Sequence, residues 1–346
     1  MERGAVDESK GHDAELQSAI DGSVHRRRPA VLVLRIGLSA VMLLVLLRRM
    51  PNFRIDNLLP DWNRDTAMFL TLAMVFTLAG ILLSTLRWRA VLAALGHDVK
   101  LRPLLSHTLA GMFVSNVLPT TIGGDVLRVS RLSRESGEST TSFASVVLER
   151  LTGWLVLPVI TLVGFLVNPG LRHLGSATEV AIALAGGTLL ALVLVFVGVA
   201  SRRFGARVAG SDGWRRFAAA VHLGMERLRR HPAAAFNVLA VGFAYQLVLV
   251  IAALMAAKAV GMSVAVGPTA LLAFFPAVLI AQVLPISISG LGVREGAFVL
   301  FLTPLGVQTE QAIALGLLLY LLNVGVSLLG APAFAVGGRG RATLAA

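Results

Sequence analysis

Long, almost uninterrupted apolar runs alternate along this chain with short polar segments rich in arginine. A membrane-spanning helix needs roughly 20 consecutive, mostly apolar residues. Runs of that order occupy 30–47, 66–86, 142–167, 180–200, 233–257 and 311–336. Two more, 104–118 and 269–284, are short for a span. Each ends directly at a proline, Pro119 or Pro285, followed by Thr or Ser and Gly. A helix that breaks at membrane depth must satisfy its freed backbone groups within protein or in a watered cavity, so this pattern predicts helices that turn back inside the membrane. The expected fold class is an all-α integral membrane protein of about six full transmembrane helices plus two re-entrant helical hairpins.

Composition agrees with that pattern. Hydrophobic residues make up 56% and charged residues 14%, against about a quarter charged in soluble proteins. The net charge of +12 would suggest nucleic acid in a soluble chain. Here the basic residues lie between apolar runs and no stacking aromatics interleave them, so no nucleic-acid partner is expected. Arg26 to Arg28, Arg87, Arg89, Lys100, Arg102, the arginines of 201–234, Arg339 and Arg341 place those segments in the cytoplasm, with both termini there and the chain in the cell (plasma) membrane. Segment 48–65, with Arg48, Arg49, Arg54 and Arg64, falls outside by parity and runs against the rule. The expected layout is a disordered cytoplasmic tail over 1–29, a transmembrane domain over 30–336 and a short cytoplasmic tail over 337–346. No small-residue cleavage site follows 30–47, so that helix is read as retained.

The chain has no cysteine, and its seven histidines are scattered. No metal and no cofactor is therefore expected. No Gly-x-x-x-x-Gly-Lys motif marks a nucleotide site, so direct driving by ATP is not expected either.

The two breaks resemble each other. NVLPTTIGGDVLR (116–128) and QVLPISISGLGVR (282–294) align without a gap. Val117 matches Val283, Leu118 Leu284, Pro119 Pro285, Ile122 Ile288, Gly124 Gly290 and Arg128 Arg294. An odd number of expected spans separates them, so the second copy meets the membrane from the opposite face. That is the mark of an inverted repeat, with units of about 66–167 and 233–336. Two such tips would build a polar site near the bilayer centre, suited to a polar head group crossing an apolar slab.

The candidate substrate-binding residues follow from this geometry. Arg128 and Arg294 trail the tips at equal spacing, and a guanidinium fork fits phosphate oxygens. The pairing of Arg294 with Glu295 has a structural alternative, and Arg128, Arg131 and Arg134 at successive i+3 positions also fit an amphipathic helix on head groups. Glu149 and Arg150 lie inside the third long run, where an ionisable side chain is costly and functional by default. Glu149 has Arg128 and Arg294 as candidate partners; Arg150 can snorkel to the cytoplasmic face. Asp125, after Gly123 and Gly124, reads first as a helix cap. Asn116 and Gln282 precede the tips at matched positions. Ser287 and Ser289 line the second tip or satisfy its backbone, and Pro119, Pro285, Gly290 and Gly292 shape the turns.

Together NVLPTTIGGDVLR, VVLERLTG and especially LPISISGLGVREG make the chain resemble the transmembrane, flippase-like domain of lysylphosphatidylglycerol synthases, a family that includes stand-alone membrane proteins. The resemblance covers roughly 30–336. It implies a membrane domain that moves, or helps move, modified or polyprenyl-linked lipids between leaflets. Pro285, Ser289, Gly290, Gly292, Arg294 and Glu295 fall on its second motif, Pro119, Gly124, Asp125 and Arg128 on its first, and Glu149 and Arg150 on its charged motif. The synthases' aminoacyl-transfer domain has no counterpart here, so any lipid-modifying chemistry is expected of a separate partner enzyme, and lysyl-phosphatidylglycerol is not implied as substrate. The expected function is a lipid flippase or transporter acting on an anionic or polyprenyl-linked membrane lipid, with no catalytic residues. The alternatives are an integral-membrane glycosyl or lipid transferase, using Asp125, Glu149 and Glu295 as acids or bases, and a scaffold for a lipid-modifying enzyme docked on 201–234.

Overall fold

The computed structural model of the chain describes residues 41, 62–117, 123–200, 212–262, 266–283 and 290–336. These residues are helical, with no strand among them. The helices are α1 (Arg64–Ala94), α2 (Leu101–Val117), α3 (Gly123–Ser136), α4 (Ser139–Val167), α5 (Ser176–Ala200), α6 (Asp212–Arg230), α7 (Pro232–Ala259), α8 (Pro268–Val283), α9 (Val293–Leu302), α10 (Thr309–Ser327) and α11 (Gly330–Val336). Among the described residues five, α1, α4, α5, α7 and α10, are long and apolar enough to cross a membrane. The first expected span, 30–47, lies outside the described residues apart from Val41, as do both tips, 118–122 and 284–289.

The apolar runs and the helices coincide closely, and α2 and α8 are short as expected. Three differences have physical causes. Helix α1 does not stop at Leu86 but continues to Ala94. Its apolar face carries on through Trp88, Val91 and Leu92, which pack into two clusters with α2, α3, α4, α6 and α7. Arg87, expected in a cytoplasmic loop, is therefore a buried helical residue. The basic segment 201–234 contains α6, whose Ala220 and Val221 pack against α4 while Arg227, Arg229 and Arg230 face outward. The run 311–336 is two helices, because the chain breaks between Ser327 and Gly330. There Gly330 presses on α2 so closely that a Cβ would stand 2.1 Å from the Leu109 carbonyl oxygen.

The order α1–α2–α3–α4 recurs as α7–α8–α9–α10: long helix, short helix, short helix, long helix. The packing is reciprocal. Helices α1 and α7 run along each other; α4 on α8 is answered by α10 on α2, and α4 on α7 by α10 on α1. Contacts at helix ends follow suit. His97, after α1, lies 3.2 Å from Glu138 at the start of α4. Gln311, at the start of α10, donates to the Gly261 carbonyl after α7 (3.3 Å). At the far end of α4, Asn168 donates to Thr269 of α8 (3.1 Å).

The largest apolar core forms around α8. Phe274 stacks on Phe301 of α9 (centroids 5.2 Å apart) and meets Phe165 of α4 edge-on at 5.5 Å. Gly164 of α4 allows that closeness, since a Cβ there would come within 2.8 Å of the Ala273 side chain.

Candidate functional site

A cavity of about 360 Å³ lies between the two helix quartets, within the usual range for small-molecule sites. All eight helices of the two quartets contribute to its wall. Asn116, at the end of α2, and Gln282, at the end of α8, both line it, as do Arg128 of α3 and Arg294 of α9. The repeat positions read from the sequence therefore meet in one hollow.

The first quartet concentrates charge there. Arg87 of α1 donates through Nη2 to Glu149 Oε1 of α4 at 2.5 Å. Nη2 of Arg128 stands 2.9 Å from Glu149 Oε2, at ion-pair distance but without the alignment of a hydrogen bond. Glu149 thus ties α1, α3 and α4 together, and its partners are Arg128 and Arg87 rather than Arg294. Exposures of 6%, 7% and 2% for Arg87, Arg128 and Glu149 put this triad where an isolated charge would be very costly.

Aromatic faces hold the guanidinium groups. Arg128 sits 4.0 Å from the centre of the Trp88 ring and Arg87 4.9 Å from that of Tyr245. Trp88 is itself fixed by donating to Ser145 (3.0 Å). Glycines make room for both arginines: a Cβ at Gly153 would lie 2.9 Å from Arg87 Nη1, and one at Gly111 would lie 2.9 Å from Arg128 Cγ. Gly124 brings α3 onto α2 backbone to backbone, where a Cβ would meet the Gly111 carbonyl oxygen at 2.2 Å.

Arg150 is half exposed. It donates through Nε and Nη2 to Asp125 (3.0 and 2.9 Å), while Asp125 also stands 3.5 Å from Arg128. Asp125 occupies the first turn of α3, where negative charge suits the helix dipole, and it bridges α3 to α4. Arg131 is buried as well, donating to the carbonyls of Ala333 and Phe334 at 2.9 and 3.0 Å. Helix α3 thus buries Arg128 and Arg131 in the protein, while Val126 and Arg134 to Ser136 stay exposed.

The second quartet is built differently. Glu295, fully buried, accepts from Arg294 Nε and Nη2 (3.1 and 2.8 Å) and from the Gly292 N–H (2.6 Å). It closes the first turn of α9 and neutralises its neighbour at once. Gly290 and Gly292 take φ of +76° and +83° in the turn that leads there, a backbone region that favours glycine. Arg294 lies 5.2 Å from the centre of the Tyr320 ring.

Of the candidate site residues, Asn116, Gly124, Asp125, Arg128, Glu149, Arg150, Gln282 and Arg294 line the cavity. Gly123, Gly290, Gly292 and Glu295 are not part of that wall: Gly123 opens α3, the other two glycines precede α9 and Glu295 lies in its first turn. Pro119, Pro285, Ser287 and Ser289 lie outside the described residues. Sequence reasoning missed Arg87, Trp88, Tyr245, Gln246 and Tyr320. The signal for Arg87 was present: the apolar periodicity resumes beyond it in WRAVLAAL, which marks an arginine inside a helix rather than after one.

The family model described as lysylphosphatidylglycerol synthase TM region matches residues 32–330. The chain is also similar to the UPF0104 membrane protein MJ1595 of Methanocaldococcus jannaschii, 23% identical over 149 residues, which cover 41% of this chain and 44% of that protein.

Proposed function

Because the chain belongs to the family of the lysylphosphatidylglycerol synthase TM region and is a multi-pass membrane protein, we propose that it carries an anionic or polyprenyl-linked lipid between the leaflets of the cell membrane through its polar cavity. The observation that carries this reading is a hollow shared by both quartets and lined by Arg87 and Arg128, several of whose buried guanidinium nitrogens donate no hydrogen bond among the described residues. Such groups suit a phosphate-bearing head group. The partner is then a membrane lipid, with a separate lipid-modifying enzyme where the lipid needs one. In the same reading the ends of α2 and α8 are re-entrant tips, the two quartets insert in opposite senses, and the termini are cytoplasmic.

Liposomes containing the purified chain test it. The protein accelerates leaflet exchange of at least one anionic lipid. Ser84→Trp, which fills the cavity without removing a charge, and Arg128→Ala both slow that exchange. An exchange rate equal to that of empty liposomes across phospholipids, glycolipids and polyprenyl phosphates overturns the reading.

A further inference from the structure

The arginines that line the cavity are not equivalent. Arg294 is forked onto its own neighbour, with Nε and Nη2 both on Glu295. Arg150 is half exposed and forks onto Asp125. Arg87 and Arg128 differ from both. Nε and Nη1 of Arg87, and Nε and Nη2 of Arg128, are buried and donate no hydrogen bond among the described residues. Both side chains are more than nine-tenths buried, and each is seated over a glycine that leaves it space.

Charge count sharpens the contrast. In the first quartet Arg87, Arg128 and Arg150 face Asp125 and Glu149, which leaves one positive charge uncompensated. In the second, Arg294 and Glu295 cancel. The wall of this quartet thus carries one net positive charge, which a singly charged anion balances and a doubly charged one overshoots. Two guanidinium groups with donors outside any hydrogen bond match the oxygens of one phosphate. The cavity wall also includes Trp154 and Val283, which are 38% and 46% exposed and give it an apolar edge.

We propose that the anion site lies wholly in the first quartet, on Arg87 and Arg128, and takes the single phosphodiester of a membrane lipid whose chains leave past Trp154 and Val283. The Arg294–Glu295 pair is a neutral part of the wall. The assignment rests on the lipid reading above for the source of the phosphodiester.

Binding to the full chain in detergent tests it without requiring transport. The probes are dihexanoyl phosphatidylglycerol, inorganic phosphate and farnesyl diphosphate. Dihexanoyl phosphatidylglycerol binds at least about tenfold more tightly than either of the others. Arg87→Gln and Arg128→Gln each weaken it about tenfold or more, Arg87→Lys weakens it less, and the double change Arg294→Gln with Glu295→Gln leaves it within about threefold. Gly153→Ala keeps every charge but displaces Arg87 Nη1, so it also weakens binding; it serves where a charge variant does not fold. Equal loss from the Arg294/Glu295 pair, or full affinity in Gly153→Ala, overturns the one-sided site. Inorganic phosphate binding as tightly as the lipid makes the ligand a free anion, and tighter binding of the diphosphate refutes the single charge. Leaflet exchange in liposomes without phosphatidylglycerol binding removes this assignment and leaves the transport reading. Binding without exchange does the reverse.

Discussion

Glu149 is the side chain on which the charges of two other helices converge. It accepts from Arg87 of α1 and stands against Arg128 of α3. Removing its charge strands two buried arginines, so Glu149→Gln should cost about 3–5 kcal/mol of stability. The loss would be read as a lowered unfolding midpoint in detergent, and restoring the balance with Arg87→Gln in the same chain should recover part of it. An unchanged midpoint for Glu149→Gln would show that the triad contributes nothing to the fold. At this scale the sequence was informative where a charge interrupts an apolar run, as at Glu149, and silent where a charge sits near a run's end. Arg87 looked like a loop arginine because one-dimensional hydropathy cannot separate a helix that leaves the membrane from one that continues into packed protein. Glu295 was visible beside Arg294, but its second role, accepting from the Gly292 N–H, needed the turn geometry.

Helix α3 shows how an amphipathic element can turn arginines inward. Its arginines recur every third residue, yet Arg128 faces Trp88 and the cavity, while Arg131 binds the last carbonyls of α11. Helices leave their final carbonyls without intrahelical partners, and here a side chain remote in sequence supplies the donors. Arg131→Ala should therefore loosen α11, with amide exchange across 330–336 rising about tenfold or more while α10 is unaffected. Unchanged exchange in that stretch would mean that α11 is held by Gly330 packing alone. Element identity was otherwise well encoded: α1, α4, α5 and α7 begin and end within a few residues of the apolar runs, apart from the extra turns of α1. The break between α10 and α11 was marked by Gly330 and Pro332, which the unbroken apolar run around them masked; contact with Leu109 fixes its place. Helix α6 was hidden by its arginines, although Ala220, Val221 and Gly224 already lie at helical spacing.

Across the molecule, reciprocal packing of the two quartets is the main organising fact, and the aligned motifs were its trace in the sequence. Because His97 meets Glu138, while Asn168 at the other end of α4 meets Thr269 and Gln311 meets Gly261, the starts of α4 and α10 lie at opposite ends of the helix bundle, and the transport reading expects them on opposite sides of the bilayer. The chain has no native cysteine, so Glu138→Cys and Gln308→Cys can be labelled singly. In sealed vesicles of one orientation, a membrane-impermeant maleimide should modify only one of the two, and detergent should release the other. Modification of both from one side would rule out opposed insertion. What the sequence could not convey was the asymmetry of charge inside symmetric packing. Arg128 and Arg294 occupy equivalent positions, but their surroundings are set by Arg87, Glu149 and Glu295, which have no matching partners in the other quartet.

The backbone contact of Gly111 with Gly124 has one more consequence. In backbone contact there, α2 and α3 pack as one leaf. A widening of the cavity would then open a seam between leaves, and the Arg150–Asp125 bridge, whose arginine is half exposed, ties one such seam between α3 and α4.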